Sequence, residues 1–546
     1  GRKTWRALDG REEAPARMHA KSFCRDPDCL LDDACNCTGG AVWPYAERVT
    51  GGHPVGVPGT VAAMRRAYAD MASGALTWAE LLQPAVDAAR TGFVMYASLH
   101  ERVERNRDRL RQFAASRALW LPRSGDRPVP VGERFVNEDM ARTLELLQRE
   151  PDSFYRGALA DEIVAAVRAA VNADTGLYGL MNHTDLQQYR AVYRSAVRTR
   201  PGGGHHTVIG MPMPSSGGTS LAMMLDMLSL ADVDASLRRG PTAELLSRLA
   251  DVQDLAFADR NVYMADADFV DVPTAGLLNA SYVAARAEQY VRAFVAAGAP
   301  LPAGVPPGSG DFAARHAPAA DVDERHGTTH ASIVDAHGTL VALTTTIEEN
   351  FGSAVVVPGR GFLLNNELTD FEVRPFDADG RAFANGVQGG KRPRRTALPP
   401  DDTSLGGKRP MSSMTPTIVL AHDGSDAGDV RPYMALGSPG GSRIISIVLN
   451  ALVYALHDND GARCLQDAVD YPRLISRNTG RAEAEHELDV TYAHATNVLN
   501  ARGYNVEKLM TDRPLGYVQA VALDARGVRY GAADNERLPE ALAAGL

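Results

Sequence analysis

The sequence lacks an apolar run long enough to cross a membrane. The stretch from Ile444 to Leu456 comes closest, but Asn450 interrupts it, and a membrane helix needs about 20 consecutive, predominantly apolar residues. We therefore predict no membrane-spanning helix. The chain begins at Gly1 without an initiator Met, a basic segment or an apolar leader, so we expect that any signal or anchor was removed or was never included.

Positive charge is also in short supply. Lys and Arg number 57 against 67 Asp and Glu, which gives the 546-residue chain a net charge of -10. Nucleic-acid binding depends on Lys and Arg that neutralise backbone phosphates, so this balance argues against a nucleic-acid partner and favours a small or peptide-like one. Hydrophobic residues at 45% and charged residues at 23% exclude wholesale disorder.

Cysteine is scarce but clustered. Four of the five cysteines are Cys24, Cys29, Cys35 and Cys37. Such a cluster indicates either local disulfides, which imply an oxidising compartment, or a zinc site. The spacing C-x4-C-x5-C-x-C lacks the paired C-x2-C knuckles of common structural zinc folds. Disulfides are therefore favoured, with zinc and free thiols left open, and Cys464 is left over by this count.

Helical periodicity dominates the first part of the chain, where apolar residues recur at three- and four-residue spacing. A loop rich in Pro, Ser and Gly at residues 212–218 marks the start of one further helix. The predicted helices are Val61–Met71, Trp78–Thr91, Met140–Gln148, Ala158–Val171, Thr219–Leu230 and Ala243–Asp259.

Strand-like segments begin after the charged stretch Asp321–Arg325, with short runs rich in Val, Leu, Ile and Thr. The first two flank a turn at Asp335–Gly338 and so predict a hairpin that opens at Thr328. The tract Phe376–Gly407 has few apolar residues, which predicts an exposed, partly mobile loop. The predicted strands are Ala331–Val334, Leu340–Ile347, Gly361–Leu364, Thr417–Ala421 and Tyr433–Leu436, and a buried helix is predicted at Arg443–His457.

The segment His326-Gly327-Thr328-Thr329-His330 permits three interpretations. Two His four residues apart could bind zinc, but that motif needs a helix, and Gly followed by two Thr is a poor helix former. A plain turn into a strand is the second interpretation. The third is self-cleavage, in which the hydroxyl of Thr328 attacks the carbonyl of Gly327, where the missing Cβ permits strained backbone.

Self-cleavage would leave Thr328 with a free α-amine beside its hydroxyl. An α-amine has a reference pKa of about 7.7–8.0, so at neutral pH its uncharged form can act as a general base. One residue would then supply both nucleophile and base. Because Gly-Thr is a common dipeptide, this spacing alone is weak support.

Ordered motifs along the whole chain strengthen that hypothesis. Before Gly327 they are Gly-Arg-Glu-Glu-Ala-Pro at 10–15, Gly-Val-Pro-Gly-Thr at 56–60, Pro-Ser-Ser-Gly-Gly at 214–218 and Ala-Asp-Arg at 258–260; after it they are residues 328–335, 344–348, 364–371, 408–417 and 437–441. Together they resemble the γ-glutamyltranspeptidase family. The resemblance implies an α+β fold, the four-layer αββα sandwich of N-terminal nucleophile hydrolases.

The resemblance also implies a precursor divided into two subunits. Residues 1–327 would form a large, helix-rich subunit and residues 328–546 a small catalytic subunit, released by cleavage between Gly327 and Thr328. Thr328 would be the nucleophile, and Thr346 would steady it. The backbone amides of Gly440 and Gly441 would form the oxyanion hole, where the absence of a side chain lets an N–H approach the developing charge.

The substrate-binding roles follow from the same resemblance. A guanidinium group can hold a carboxylate through two parallel hydrogen bonds, and acidic residues would hold the ammonium at the other side of a glutamyl head group. Arg11 would pair with the α-carboxylate, Ser412 and Ser413 would donate to it, and Glu367 and Asp370 would hold the α-ammonium. Glu348 stands where many family members carry Asn and could accept from the same ammonium.

The implied function is γ-glutamyl transfer from glutathione or another γ-glutamyl donor to water, an amino acid or a dipeptide, with neither a metal nor another cofactor. Family resemblance implies an extracellular, periplasmic or cell-surface location. Two alternatives stay open. One is a cephalosporin (glutaryl) acylase or a polyglutamate-acting relative, which need not keep the ammonium site; the other is a pseudoenzyme that never matures.

Several positions depart from the family pattern. Met213 replaces one Pro before the Ser-Ser-Gly-Gly loop, and the cysteine segment follows Arg11 closely enough to shape the rim of the pocket. The tract Phe376–Gly407 stands where many members have a lid loop but is unlike theirs in sequence, which leaves its role as a lid open. The residues that the family normally has before Gly10 are largely missing from this sequence.

Overall fold

The computed structural model describes residues 5–26, 42–123, 126–228, 243–292, 300–317, 327–390, 392–393, 405–422, 430–457, 465–485, 488, 496–508, 515–535, 537–538 and 542–544. Its helices are α1 Tyr45–Arg48, α2 Thr60–Met71, α3 Trp78–Thr91, α4 Ala97–Arg105, α5 Arg107–Leu110, α6 Ala114–Trp120, α7 Glu138–Arg149, α8 Ala158–Ala169, α9 His183–Gln188, α10 Gly217–Met227, α11 Ala243–Tyr263, α12 Thr274–Leu277, α13 Ala280–Arg292, α14 Phe312–Arg315, α15 Ile444–His457 and α16 Leu465–Asp470.

Most strands have two or three residues, and the longer strands have five to eight. They are β1 Ala7–Asp9, β2 Phe93–Val94, β3 Arg134–Phe135, β4 Val192–Arg194, β5 Val197–Thr199, β6 His206–Gly210, β7 His316–Ala317, β8 Thr329–Val334, β9 Leu340–Thr345, β10 Ala382–Phe383, β11 Arg392–Pro393, β12 Leu405–Gly406, β13 Thr417–His422, β14 Val430–Gly437, β15 Leu474–Ser476, β16 Ala482–Ala484, β17 Val506–Lys508, β18 Gln519–Leu523 and β19 Arg529–Ala533.

The central sheet takes strands from both sides of Gly327. Its order is β19-β18-β14-β13-β6-β5, and every neighbouring pair is antiparallel. Thr417 on β13 lies between Leu436 on β14 and Gly210 on β6. A fold in which β5 and β6 complete the sheet of the later strands cannot separate into independent domains at residue 327.

Helices α10, α15 and α16 cover one face of this sheet, and α11 packs against α10. Helix α15 is apolar on nearly all sides, as a helix enclosed by protein must be; Ile445, Val448 and Leu449 are fully buried. Its one amide side chain, Asn450, donates to the carbonyls of Ser446 and Leu474, at 2.7 Å and 3.0 Å. The polar group is therefore paired inside the core, as buried polar groups generally are.

The hairpin β8–β9 packs on the other face of the sheet, against β14 and β18. His330 and Ser332 point towards the sheet: the Ser332 hydroxyl donates to the Gln519 carbonyl over 3.0 Å. A Cβ at Gly437 would lie 2.3 Å from the His330 ring, so only glycine leaves room for this side chain. The close approach fixes the hairpin over the sheet.

The predicted helices and the hairpin are confirmed, with small shifts at their ends. Helix α10 begins at Gly217, two residues before the predicted start, and β9 ends at Thr345, so Thr346 and Ile347 follow the strand. The predicted strand Gly361–Leu364 is wrong: the segment forms a single bridge, from Leu363 to Val356. Gly361 has a φ of 71°, which interrupts extended pairing.

The tract Phe376–Gly407 is only in part the exposed loop that its composition predicted, within the parts that the structure describes: residues 378–380 are exposed, but residues 383–385 are buried. Phe383, Ala384, Asn385 and Val387 are all buried, and Val387 packs in a core cluster with residues of the N-terminal motif region. The Lys408 ammonium donates to the carbonyls of Ala384 and Gly386 at 2.8 Å each. These apolar side chains and backbone contacts hold residues 383–387 in the interior.

The cysteine segment falls largely outside the described residues. Cys24 is disulfide-bonded, which supports the disulfide interpretation for this residue. Cys29, Cys35, Cys37 and Cys464 lie outside the described part of the chain, as does His326. Across the residues that the structure does describe, we find no helix of the length and apolarity that a membrane crossing requires.

Candidate active site

One pocket brings together residues that are far apart in the sequence. The predicted site residues that line it are Arg11, Thr328, Thr346, Glu348, Glu367, Asp370, Ser412, Ser413 and Gly441. Gly440 directly precedes this last residue. The pocket therefore draws on both predicted subunits: of these predicted residues, Arg11 comes from the first and the others from the second.

The two predicted threonines face each other at the open end of the hairpin. Thr329 pairs with Thr345, so Thr328 lies directly before β8 and Thr346 directly after β9. The Thr328 hydroxyl donates to Oγ1 of Thr346 over 3.1 Å, and that oxygen also accepts from the backbone N–H of Glu348 at 2.9 Å. The hairpin register thus fixes the direction of the Thr328 hydroxyl.

Gly327 lies in a backbone cradle formed by the segment after β9. Its N–H donates to the Glu348 carbonyl over 2.7 Å. A Cβ at this position would lie 2.8–3.0 Å from backbone atoms of Glu349 and Asn350. Sequence reasoning assigned this glycine to backbone strain, whereas the geometry gives close approach of two chain segments as a reason for it.

The residues predicted to form the oxyanion hole lie just before the N-terminus of α15. Gly440 and Gly441 have φ values of 137° and 57°, a region that favours glycine. A 3-10 turn, Gly441–Arg443, then leads into α15. Backbone N–H groups at a helix N-terminus carry partial positive charge, which suits stabilisation of a developing oxyanion.

His330 is part of the support beneath the nucleophile. Its Nδ1 lies 2.8 Å from Oγ1 of Thr344 and its Nε2 lies 2.9 Å from Oγ of Ser332. Burial lowers the pKa of His330 to about 3, so the ring is neutral at physiological pH. The threonines, the glycine amides and this histidine give the nucleophile end no formal charge of their own.

Arg11 is engaged with the two acidic residues that were predicted to bind substrate. Nη1 donates to Oε1 of Glu367 and Nη2 donates to Oδ2 of Asp370. The same guanidinium donates to the carbonyls of Pro410 and Met411 at 3.2 Å and 3.3 Å. The predicted carboxylate-binding and ammonium-binding groups therefore neutralise each other in this structure.

The acidic residues around Arg11 outnumber it. Burial raises the pKa of Glu367 well above its ordinary value, with Glu12 and Asp370 adding to the shift against the pull of Arg11. Burial also raises the pKa of Glu12 to about 7. For Arg11, burial works against the charged form, but Glu367 and Asp370 outweigh it and the net pKa is raised. Arg11 thus stays cationic, and burial works against the charged forms of Glu367 and Glu12.

Ser412 and Ser413 are held by long-range hydrogen bonds that the sequence did not predict. Arg260 donates to Oγ of Ser216 and Oγ of Ser413, at 2.9 Å and 2.8 Å. The Ser216 hydroxyl donates in turn to the Ser412 carbonyl over 2.8 Å. Arg260 belongs to the Ala-Asp-Arg motif at residues 258–260, and this motif is the signal in the sequence that points to it.

Tyr45, Arg48 and Asn385 also belong to the site or its border. Arg48 and Asn385 line the pocket, and the Tyr45 hydroxyl donates to Oε1 of Glu348. Asn385 donates to the Asp370 carbonyl over 2.7 Å. None of these residues lies in one of the family motifs. Tyr45 and Arg48 follow the cysteine segment, and Asn385 lies in the tract that was predicted to be exposed.

Comparisons with known proteins agree with these features. A family model described as gamma-glutamyltranspeptidase matches residues 1–400 and 402–544. The chain is 32% identical over 539 residues to the glutathione hydrolase proenzyme of Bacillus subtilis (strain 168), covering 97% of this chain and 79% of that one. It is also 32% identical over 544 residues to the acylase ACY 1 proenzyme of Pseudomonas sp. (strain SE83), covering 99% and 83%.

Solved structures agree on the fold. Cephalosporin acylase from Bacillus halodurans matches with a TM-score of 0.73 at 20% sequence identity, over 97% of this chain and 83% of that one. At an identity this low, the match shows the fold alone. With the mixed helix and sheet content described above, the match confirms the predicted α+β fold of N-terminal nucleophile hydrolases.

Proposed function

This chain belongs to the γ-glutamyltranspeptidase family, and from that premise we propose that it is a γ-glutamyltransferase and glutathione hydrolase whose nucleophile is Thr328. The donor is glutathione or another γ-glutamyl compound, and the acceptor is water, an amino acid or a dipeptide. The observation that carries the proposal is one pocket holding both the Thr328–Thr346 hydroxyl pair and the Arg11–Glu367–Asp370 cluster.

Maturation comes first in the proposed sequence of events. Cleavage between Gly327 and Thr328 yields a large subunit, residues 1–327, and a small subunit, residues 328–546. The shared central sheet supports their staying together, because β5 and β6 of the first pair with β13 of the second through β6. Family membership also supports an extracellular, periplasmic or cell-surface location as part of the proposal.

Acylation then uses the new N-terminus of Thr328. Its α-amine takes the hydroxyl proton while Oγ1 forms a bond to the γ-carbonyl carbon. The amides of Gly440 and Gly441 stabilise the oxyanion, and such a donor is typically worth about 2.7–4 kcal/mol. The bond to the leaving nitrogen breaks as that nitrogen receives the proton. Water or an acceptor amine then attacks the ester and restores Thr328, which predicts ping-pong kinetics.

The cluster around Arg11 supports recognition of a zwitterion. A glutamyl head group carries a carboxylate and an ammonium, so it can replace the internal ion pairs of Arg11 without leaving an unpaired buried charge, which would be costly. Its carboxylate would bind Arg11, Ser412 and Ser413. Its ammonium would bind Glu367 and Asp370, with Glu348 as a further acceptor.

The decisive test replaces Thr328 by Ala. We expect Thr328→Ala to lose at least about 1,000-fold in release of product from a γ-glutamyl anilide, because the nucleophile is gone, and to remain a single chain on a denaturing gel. The matched control is Thr329→Ala, an exposed neighbour. N-terminal sequencing of the smaller wild-type fragment should give Thr-Thr-His-Ala-Ser. A Thr328→Ala protein with wild-type activity would exclude the mechanism.

Acylase activity is a second candidate because the chain is also similar to an acylase proenzyme. A glutaryl substrate keeps the carboxylate that Arg11 would bind but lacks the ammonium. If wild-type protein cleaves glutaryl and γ-glutamyl anilides equally well, the γ-glutamyl assignment is wrong and the acylase assignment replaces it. A single uncut chain with no activity on either substrate would instead indicate a pseudoenzyme.

A further inference from the structure

Glu348 carries a pocket carboxylate that is held from two sides. The residue is 4% exposed. The Tyr45 hydroxyl donates to its Oε1, and the side-chain amide of Asn366 donates to its Oε2. Hydrogen bonds to an ionised carboxylate are stronger than those between neutral groups. The carboxylate of Glu348 is therefore oriented before any substrate arrives.

The backbone of Glu348 is tied to the nucleophile. Its φ of 72° lies in the left-handed region, which is uncommon for a residue other than glycine and is often kept at functional sites. Its N–H donates to Thr346 over 2.9 Å, and its carbonyl accepts from Gly327 over 2.7 Å. This backbone anchors the base of the side chain beside the reacting residue, while the carboxylate end depends on Tyr45 and Asn366.

Tyr45 itself packs against Arg48. The Arg48 guanidinium carbon lies 5.4 Å from the centre of the Tyr45 ring, a distance typical of a cation–π contact. Arg48 also donates to the carbonyl of Trp43 over 2.7 Å. The Tyr45 hydroxyl reaches a second carboxylate oxygen, Oε1 of Glu349, at 3.2 Å. A fixed phenol thus faces two adjacent acidic residues.

The positive charge next to Glu348 and Glu349 comes from Arg109. Glu349 and Glu348 both interact electrostatically with its guanidinium. Arg109 also donates to the carbonyls of Asn350 and Gly352, which holds the segment that follows Glu348. The single charge of Arg109 partly compensates the two carboxylates, and Glu348 still lines the pocket.

We propose that Tyr45 is a specificity-determining positioning residue that acts through Glu348. Its hydroxyl holds the Glu348 carboxylate where the α-ammonium of a γ-glutamyl donor binds, so Tyr45 favours γ-glutamyl over glutaryl donors. The inference rests on the proposed function. It concerns the ammonium alone: a glutaryl group has hydrogen at that carbon and gains nothing from an oriented Glu348.

The test compares Tyr45→Phe with wild type on γ-glutamyl and glutaryl anilides. We expect the KM for the γ-glutamyl anilide to rise about tenfold, the effect of losing one hydrogen bond to a charged group, with kcat within about twofold. Both constants for the glutaryl anilide should stay within about twofold of wild type. Tyr178→Phe, at a side chain that is 50% exposed, is the matched control and should change neither.

A double-mutant cycle shows whether the effect passes through Glu348. Glu348→Gln alone should also lower the preference for the γ-glutamyl donor. In the Glu348→Gln background, Tyr45→Phe should have almost no further effect, because the two side chains act as one unit. Additive effects would overturn the proposal, and so would a parallel loss on both donors, which is the result expected of a purely structural role.

Inhibition constants provide a second measurement that needs only trace activity. Tyr45→Phe should weaken inhibition by L-glutamate about tenfold and leave inhibition by glutarate unchanged; equal changes would overturn the proposal. The wild-type assay separates this inference from the proposed function. If wild-type protein does not prefer the γ-glutamyl anilide, the proposed function fails; if it does and Tyr45→Phe keeps that preference, only the role of Tyr45 fails.

Discussion

The two ends of the pocket hold their functional groups in opposite ways. Around Arg11 the groups are charged and already paired with each other, with side chains of Arg11, Glu367 and Asp370 that are 3%, 0% and 17% exposed. Around Thr328 they are neutral hydroxyls, backbone amides and an uncharged His330. A paired charge must exchange partners when a substrate binds, whereas the hydroxyl pair is oriented beforehand.

This difference suggests a division of labour. Interactions made equally with substrate and transition state change KM, and those made only in the transition state change kcat. We therefore expect substitutions at the charged end to act on donor binding and selectivity. Substitutions at the neutral end should act on turnover.

Among substitutions that leave the nucleophile in place, the largest effect is expected from Arg11→Gln. Removing one member of a buried ion pair leaves the other charge uncompensated and typically costs about 3–5 kcal/mol. We expect kcat/KM for a γ-glutamyl anilide to fall at least about 100-fold, mainly through KM, and the free energy of unfolding to fall as well. Steady-state kinetics and denaturant titration measure both.

Arg315→Gln is the matched control for this change. Arg315 pairs with Asp311 on the surface, where the side chains are 59% and 69% exposed, and such pairs contribute little. It should leave activity and stability nearly unchanged. If Arg11→Gln lowered kcat and left KM alone, the charged end would be part of the reaction and the division of labour would fail.

Low pH should destabilise the protein at the neutral end of the pocket, through His330. Its pKa is lowered to about 3, while an unfolded histidine titrates near 6.5. The unfolded state therefore binds a proton at a higher pH than the folded state does. Stability is fully present above about pH 6.5 and is lost as the pH falls towards 3, by roughly 3 kcal/mol at pH 4.5.

His330→Gln should reduce this acid-dependent loss, because glutamine can replace the hydrogen bonds to Thr344 and Ser332 without taking up a proton. Urea titrations at pH 7 and pH 4.5 measure the difference. His337→Gln, in the exposed turn between β8 and β9, is the control and should keep the wild-type pH dependence. An equal pH dependence in the wild type and His330→Gln would show that charging His330 is not what destabilises the protein.

Local patterns in the sequence predicted the hairpin, the apolar helix α15 and the position of Thr328 at the hairpin opening. They do so because periodicity and turn residues act over a few neighbours. The resemblance supplied nine of the residues that line the pocket. Neither revealed that Arg11 pairs with Glu367 and Asp370, since those contacts span 356 and 359 residues and depend on how both parts of the chain fold together.

The interior position of residues 383–387 escaped sequence analysis for a related reason. The surrounding tract Phe376–Gly407 is polar overall, but residues 383–387 include three apolar side chains. Their burial also rests on backbone carbonyls that accept from Lys408 and on Asn385, which donates to the Asp370 carbonyl and accepts from the Met411 N–H. Composition averaged over the tract has no signal for so short a buried segment or for its hydrogen bonds.

Thr346→Val should give the smallest effect of the series. That effect should fall on kcat, as expected of a substitution at the neutral end of the pocket. Valine keeps the shape of threonine but removes the oxygen that accepts from the Thr328 hydroxyl and the Glu348 N–H. A hydrogen bond between neutral groups contributes about 0.5–1.5 kcal/mol, so we expect kcat to fall about tenfold while KM and the preference for γ-glutamyl over glutaryl donors stay within twofold. Thr345→Val, one residue earlier on β9, is the matched control. A loss of donor preference in Thr346→Val would show that the hydroxyl pair also orients Glu348, and the two ends of the pocket would then be coupled through its backbone.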